Sequence, residues 1–207
     1  MKISDSDLQT CHEMIKDGSH SFYSASKLLP KNVRDPAIVL YAFCRLADDA
    51  VDLGLGGSDP VEMLRSRLDL AYLGKPKNVP TDRAFAELIR HCDMPRVLPE
   101  ALLEGLEWDA LGLRFETLSD LHSYSARVAS AVGVMMCVLM GVRDHDVLAR
   151  ACDLGAAMQL TNIARDIGED ARNGRIYIPL QWMMEEGLSP KKFLENPQPS
   201  PSVAKLV

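Results

Sequence analysis

Four aspartates in this chain are spaced for cation chemistry. Between Met158 and Pro179, in MQLTNIARDIGEDARNGRIYIP, the residues Gln159, Asn162, Asp166 and Asp170 follow one another at steps of three, four and four. On a helix each residue turns about 100°, so these four fall within a sector of roughly 80°. Tyr41, Arg45, Asp48 and Asp52, in YAFCRLADDAVD, step by four, three and four and span about 60° of one face. Within each Asp-x-x-x-Asp pair the carboxylates lie about 6 Å apart along the axis. They repel unless solvated, protonated or bridged by a cation. Magnesium takes oxygen ligands, keeps several waters, and binds through a few carboxylates plus a substrate's phosphates. Two such helices, carrying Asp48 with Asp52 and Asp166 with Asp170, are what a dinuclear or trinuclear magnesium site for a diphosphate requires. The competing reading is a pair of solvated acidic faces.

The residues around each pair define how the helices must pack. Leu160, Ile163 and Ile167 make an apolar stripe beside the second pair, and Ala157, Thr161, Ala164 and Gly168 make a small-residue stripe suited to close approach by another helix. Phe43, Leu46 and Ala50 lie opposite the first pair, with Asp49 off its line. Arg165, Glu169 and Arg172 have the spacing of a salt-bridge ladder. Arg45, one turn before Asp48, serves either as an intrahelical ion-pair partner or as a diphosphate contact, the use to which a planar, permanently charged donor is suited.

Three stretches carry a resemblance as well as a spacing. HSFYSASKLLP (20–30), YAFCRLADDAVD (41–52) and QLTNIARDIGEDARNGRIYIP (159–179) resemble the squalene/phytoene synthase family, nearest its bacterial phytoene-forming branch. The resemblance implies an all-α isoprenoid synthase fold, with two aspartate-rich helices facing each other across a deep apolar cavity. It implies head-to-head condensation of two geranylgeranyl diphosphates to phytoene through a cyclopropyl diphosphate. Magnesium, with manganese as a substitute, would sit on Asp48, Asp52, Asp166 and Asp170; no nicotinamide cofactor is expected. Ser19 and Ser21 come over as diphosphate contacts in a flap, joined by Tyr41, Arg45, Gln159 and Asn162, and Tyr124 as a residue near the reacting carbons. On the residues alone, the serines equally suit a helix cap and Tyr124 a packed core aromatic. Three alternatives stay open: a squalene or hydroxysqualene-type synthase using farnesyl diphosphate, a non-catalytic relative or inactive fragment, and a plain acidic helical scaffold.

The elements that must hold these residues read as helices throughout. Helices are expected over Ser4 to Lys16, from Pro36 to about Leu53 after a turn at Pro30 to Asp35, over Asp59 to Leu73, Thr81 to Cys92 and Leu98 to Leu111, and from Asp146 through the second polar stripe to Asn173-Gly174. Leu118 to Met140 reads as one core helix through Leu118, Leu121, Tyr124, Val128, Val132, Met135 and Leu139, with Met135-Met136 packed near the cavity. A short helix follows at Leu180 to Glu186. Gly54-Leu55-Gly56-Gly57 is read as a mobile loop, lacking the strand and lysine of a P-loop. Glu104, Glu107 and Asp109 are read as structural scatter, and His20 as an exposed side chain.

The composition, 47% hydrophobic and 25% charged over 207 residues, is that of one globular domain. A net charge of −6 gives no footprint for nucleic acid. Cys11, Cys44, Cys92, Cys137 and Cys152 show no C-x-x-C spacing, which points to reduced thiols and a cytoplasmic location. No signal-peptide pattern opens the chain, and the run from Ala129 to Val142 is too short to span a bilayer. Peripheral contact with the inner membrane face is expected only because the product would be lipophilic. The family continues with several more helices, so the resemblance implies a single isoprenoid synthase domain truncated at its C-terminus, with 196–207 a proline-rich linker and the start of a missing helix. Oligomeric state is not legible.

Overall fold

The computed structural model describes residues 1–53 and 59–206 and is all-α over them; the Gly54 to Gly57 stretch lies outside the described residues. Local chemistry starts each helix. Ser4 accepts from the Asp7 amide and opens α1, Asp5–Gly18; Ser19 accepts from Phe22 and opens α2, His20–Ser26. The third helix, α3, Lys31–Asp52, begins five residues before Pro36, not at it. Pro30 sits extended at the N-cap, and Pro36, in the second turn, forfeits only one backbone bond while its ring is buried. Proline also occupies the first turn of α4, Pro60–Tyr72, and α5, Pro80–Cys92. After α6, Val97–Ala110, a Thr117/Asp120 capping box opens α7, Leu118–Ser125.

The core helix expected as one piece from Leu118 to Met140 is interrupted. A π-helical turn, Ala126–Ser130, separates α7 from α8, Ala131–Leu139. The reason lies in the next helix, α9, His145–Arg172, which comes so close at this turn that a Cβ on Gly155 would stand 2.7 Å from Ser130 Cα and 2.8 Å from the Ala129 oxygen. Ser130 Oγ donates to the Cys152 carbonyl at 2.7 Å. The apolar residues from Val128 to Met140 are too densely spaced for periodicity to show the extra residue of a π turn. The close approach therefore belongs to Gly155 and to Gly133, whose Cβ would stand 2.8 Å from the Ala151 oxygen. It does not belong to the stripe of Ala157, Thr161, Ala164 and Gly168, in which Ala157 and Thr161 are exposed. Gly155→Ala is expected to destabilise the chain by about 2 kcal/mol, since backbone must move to admit the methyl. Urea unfolding measures it, and an unchanged midpoint would refute the contact.

Gly174 takes a positive φ of 80° and closes α9 with paired bonds from the Gly174 amide to Ala171 O (3.0 Å) and from the Arg175 amide to Asp170 O (2.8 Å). Short helices α10, Leu180–Glu185, α11, Pro190–Glu195, and α12, Pro201–Ala204, follow. Of these, α10 is expected from the sequence and α12 falls within 196–207, where the start of a helix is expected; α11 is not anticipated.

The main core joins α1, α3, α4, α5, α6 and α8 around Ile38, Leu40, Leu68, Leu88, Leu103 and Met135. Met135 is fully buried there, with Met136 packed against it. Leu118 is left exposed. A second cluster, including Ile167, Ile176, Met183 and Phe193, anchors the C-terminal segment on the end of α9. A third, of Phe115, Leu121, Tyr124 and Ile163, ties α7 to α9. All five cysteines are free, and no described helix is long and apolar enough to cross a membrane.

Candidate active site

The two aspartate helices pack mainly on different neighbours, α3 on α1, α5 and α6, and α9 on α8 and the π turn, with α8 also touching α3. A cavity of about 390 Å³ opens between these groups. Polar groups enter its wall from Ser19, from Tyr41, Arg45 and Asp48 of α3, and from Asp109 of α6, Tyr124 of α7 and Gln159 of α9; Phe22, Leu102, Leu106, Val128 and Val132 make the rest largely apolar. Met135 and Met136 do not line it. A Cβ on Gly18 would stand 2.5 Å from the Tyr41 hydroxyl, so the bare end of α1 is what makes room for that ring.

The four aspartates differ in their surroundings. Asp48 is pushed up to about 6, first by burial and then by the charge of Asp52. Asp170 is also pushed up to about 6, by burial and then by Asp166. Asp166 is held below the usual carboxylate range by Arg165, which donates to it twice at 2.7 Å. The ladder through Glu169 and Arg172 is thus not formed by Arg165, whose guanidinium reaches its own neighbour instead. Asp52 accepts from Arg175 Nη2 at 2.5 Å. Of the four, Asp48 alone belongs to the cavity wall; Asp52, Asp166, Asp170 and Asn162 do not. Among the described residues, no three Asp, Glu, His or Cys side chains converge as a ready-made metal cage.

Arg45 pairs one turn onward with Asp49, at 2.6 Å from Nη2 and 3.1 Å from Nε, and stands 3.9 Å from Asp48. Ser19 caps α2 and lines the cavity, with its Oγ 3.2 Å from Ser21 Oγ; Ser21 and His20 are exposed.

Three functional candidates escaped the sequence reading. Asp109 is not structural scatter. It lies in the cavity wall and accepts from the Tyr124 hydroxyl at 2.8 Å and the Tyr177 hydroxyl at 2.7 Å. Burial raises its pKa, against the lowering effect of those two bonds. The tyrosine rings stack with centroids 5.2 Å apart, and Phe115 lies 5.0 Å from Tyr124. Glu107 and Glu104 do play the structural part, pairing with Arg65 and Arg127. Tyr177 and Arg175 are the other two. Their only sequence signal is the short run after Asn173-Gly174, and their partners lie 68 and 123 residues away.

An all-α chain with two aspartate helices flanking a partly apolar cavity has the architecture of an isoprenoid synthase. The family model for squalene/phytoene synthase matches residues 15–207, and the chain belongs to that family. It is 56% identical over 207 residues to a phytoene synthase of Rhodobacter capsulatus and 59% identical over 205 residues to one of Cereibacter sphaeroides. These alignments cover 99% and 94% of this chain but only 61% and 58% of those relatives' lengths. Among solved structures, a dehydrosqualene synthase in complex with ligand superposes with a TM-score of 0.86 at 35% identity, covering 97% of this chain and 70% of that one. A squalene synthase from Alicyclobacillus acidocaldarius superposes at 0.82 with 24% identity, covering 97% and 76%, which speaks to the fold alone.

Proposed function

We propose that the chain is the catalytic portion of a magnesium-dependent prenyltransferase that joins two geranylgeranyl diphosphates head to head to give phytoene. The observation that carries this reading is the placement of Asp48, Arg45, Tyr41 and Gln159 in the wall of one cavity that Leu102, Leu106, Val128 and Val132 also line, in a family whose similar members are named phytoene synthase.

The donor chemistry fits magnesium. The carboxylates are hard oxygen ligands, and Asp48 and Asp170 lack enough nearby positive charge to stay at their ordinary acidity. Two separate pairs suit a cation that completes its shell with waters and substrate phosphates. Asp48/Asp52 and Asp166/Asp170 would hold it, and when bound it supplies Lewis acidity that makes diphosphate a better leaving group. Arg45 supplies donors to the same phosphates once it exchanges Asp49 for them. Ser19, Ser21, Tyr41, Gln159 and Asn162 add neutral hydrogen bonds. Leu102, Leu106, Val128 and Val132 keep water from the allylic cation, and the faces of Tyr41 and Tyr124 are suited to stabilising positive charge. One prenyl alkene attacks the other's cation, the resulting tertiary cation closes to a cyclopropyl diphosphate as it loses a proton, and departure of the second diphosphate, rearrangement and loss of a second proton give the hydrocarbon. No protein nucleophile is needed.

A 390 Å³ cavity is small for two C20 chains. On α9, Val147, Leu154 and Met158 recur along one face and are exposed. We place the rest of the cavity wall against this face, in the length of the relatives that the chain does not span. The product would leave toward lipid, which favours a peripheral membrane location.

The test is incubation with geranylgeranyl or farnesyl diphosphate, with magnesium or a chelator, while calorimetry follows inorganic pyrophosphate. The expected result is magnesium-dependent pyrophosphate binding and a C40 hydrocarbon. A C30 product from farnesyl diphosphate alone would replace the reading with a squalene-type one, and absence of magnesium-dependent binding would overturn it.

A further inference from the structure

Arg175 stands where the two aspartate helices come electrostatically together. Its Nη2 lies 2.5 Å from Asp52 Oδ1 at the end of α3, and its charge also acts on Asp48, Asp109 and Asp170. The backbone beneath it is fixed on both sides. The Arg175 amide closes α9 on Asp170 O, Ile176 is buried in the C-terminal cluster, and Tyr177 is held by Asp109. What can move is therefore the side chain, a flexible stem ending in a half-buried guanidinium. A guanidinium held 2.5 Å from Asp52 Oδ1 takes one lone-pair site of that carboxylate and leaves others, but it places a positive charge beside any small divalent ion that binds there, and the two cations repel.

We propose that Arg175 is a built-in counter-cation of the metal site: it holds Asp52 when no divalent ion is present and is pushed off by one that binds. This rests on the magnesium reading above and goes beyond it. The consequence is a coupling between ligands. A divalent ion that binds alone meets the Arg175 charge at Asp52 with no further anion to offset it. Pyrophosphate gives the released guanidinium a new anionic partner, so metal and pyrophosphate bind better together than either does alone. The site is thereby biased against holding metal without substrate.

Two measurements on the 207-residue chain test this. Manganese titrations followed by electron paramagnetic resonance, without pyrophosphate, compare the parent with Arg175→Gln, which keeps a hydrogen-bond donor and loses the charge. The expected result is at least threefold tighter binding by the variant, together with a smaller gain in affinity when inorganic pyrophosphate is added. In the second, magnesium is added to the parent while the Arg175 Nε–H proton is followed by NMR. That proton is identified by its absence from the spectrum of Arg175→Gln or, should that variant fail to fold, of Arg175→Lys. Its solvent exchange is expected to accelerate on magnesium alone. Equal manganese affinity in both proteins, or an Nε–H signal indifferent to saturating magnesium, would overturn the displacement while leaving the metal site standing. Manganese binding to neither protein would overturn the magnesium reading and this inference with it.

Discussion

Asp48→Asn is expected to make the metal-free chain more stable while removing its capacity to bind magnesium pyrophosphate. The sign follows from the direction of the shift. Asp48 titrates at about 6 in the folded chain against an ordinary 3.8, so between those pH values the folded form keeps a proton that the unfolded form has lost. Stability therefore falls as pH rises from about 4 to about 6, and the penalty is complete at pH 7. Because the carboxylate is about half exposed, solvent screening reduces the penalty to about 1 kcal/mol. Asparagine removes it. Urea midpoints measured in chelator from pH 4 to 7 should show a flatter profile for the variant, and a higher midpoint at pH 7. Calorimetry with magnesium and pyrophosphate should show at least a tenfold loss of affinity, since a neutral amide is a poor magnesium ligand. Asp166→Ala serves as the contrast. Arg165 already holds Asp166 below the usual range, so its removal should abolish binding with no gain in stability. An Asp48→Asn chain that binds magnesium pyrophosphate as the parent does would refute the assignment. The trade-off is the one expected of a site built from charges its fold does not neutralise.

The contrast between Asp48 and Asp166 also marks what a sequence can and cannot disclose. That Asp48 and Asp52 share a face, and Asp166 and Asp170 another, follows from helical period alone, and both pairs do lie on long helices. Caps at Ser4 and Ser19 were legible, because each acts within three residues. Periodicity does not report the width of a helical turn, so the π turn at Ala126–Ser130 and the approach of Gly155 to it stayed hidden. Nor does it assign partners. Arg45 had Asp48 and Asp49 within one turn and took Asp49; Arg165 had Glu169 at the favoured spacing and took Asp166. The Arg175–Asp52 pair spans 123 residues, and only the tertiary fold creates it. The family resemblance supplied order and expectation for the aspartates but drew no attention to Asp109, whose significance depends on two tyrosines brought to it from different segments.

Asp109 is where the largest loss of stability is expected. It accepts charge-assisted bonds from Tyr124, only 3% exposed, and from Tyr177. Asp109→Leu fills much the same space but leaves both hydroxyls as donors with no acceptor. That should cost about 3 kcal/mol. Asp109→Asn retains a carbonyl acceptor and should cost about 1 kcal/mol. The decisive comparison adds Tyr124→Phe and Tyr177→Phe to Asp109→Leu. With acceptor and donors removed together, urea unfolding should recover most of the loss, a non-additivity that marks the three as one unit. A triple variant no more stable than Asp109→Leu would show instead that the aspartate acts alone, through its own packing. The same set separates support from chemistry. Asp109 holds the Tyr124 ring between Phe115 and the cavity by fixing its hydroxyl. The triple variant, with folding restored but the ring free to tilt, is expected to bind magnesium pyrophosphate as the parent does, because the proposed function places the phosphates at the aspartate pairs. Hydrocarbon formation should fall at least tenfold in that variant, because the proposed function sets the ring against the carbons that carry the charge.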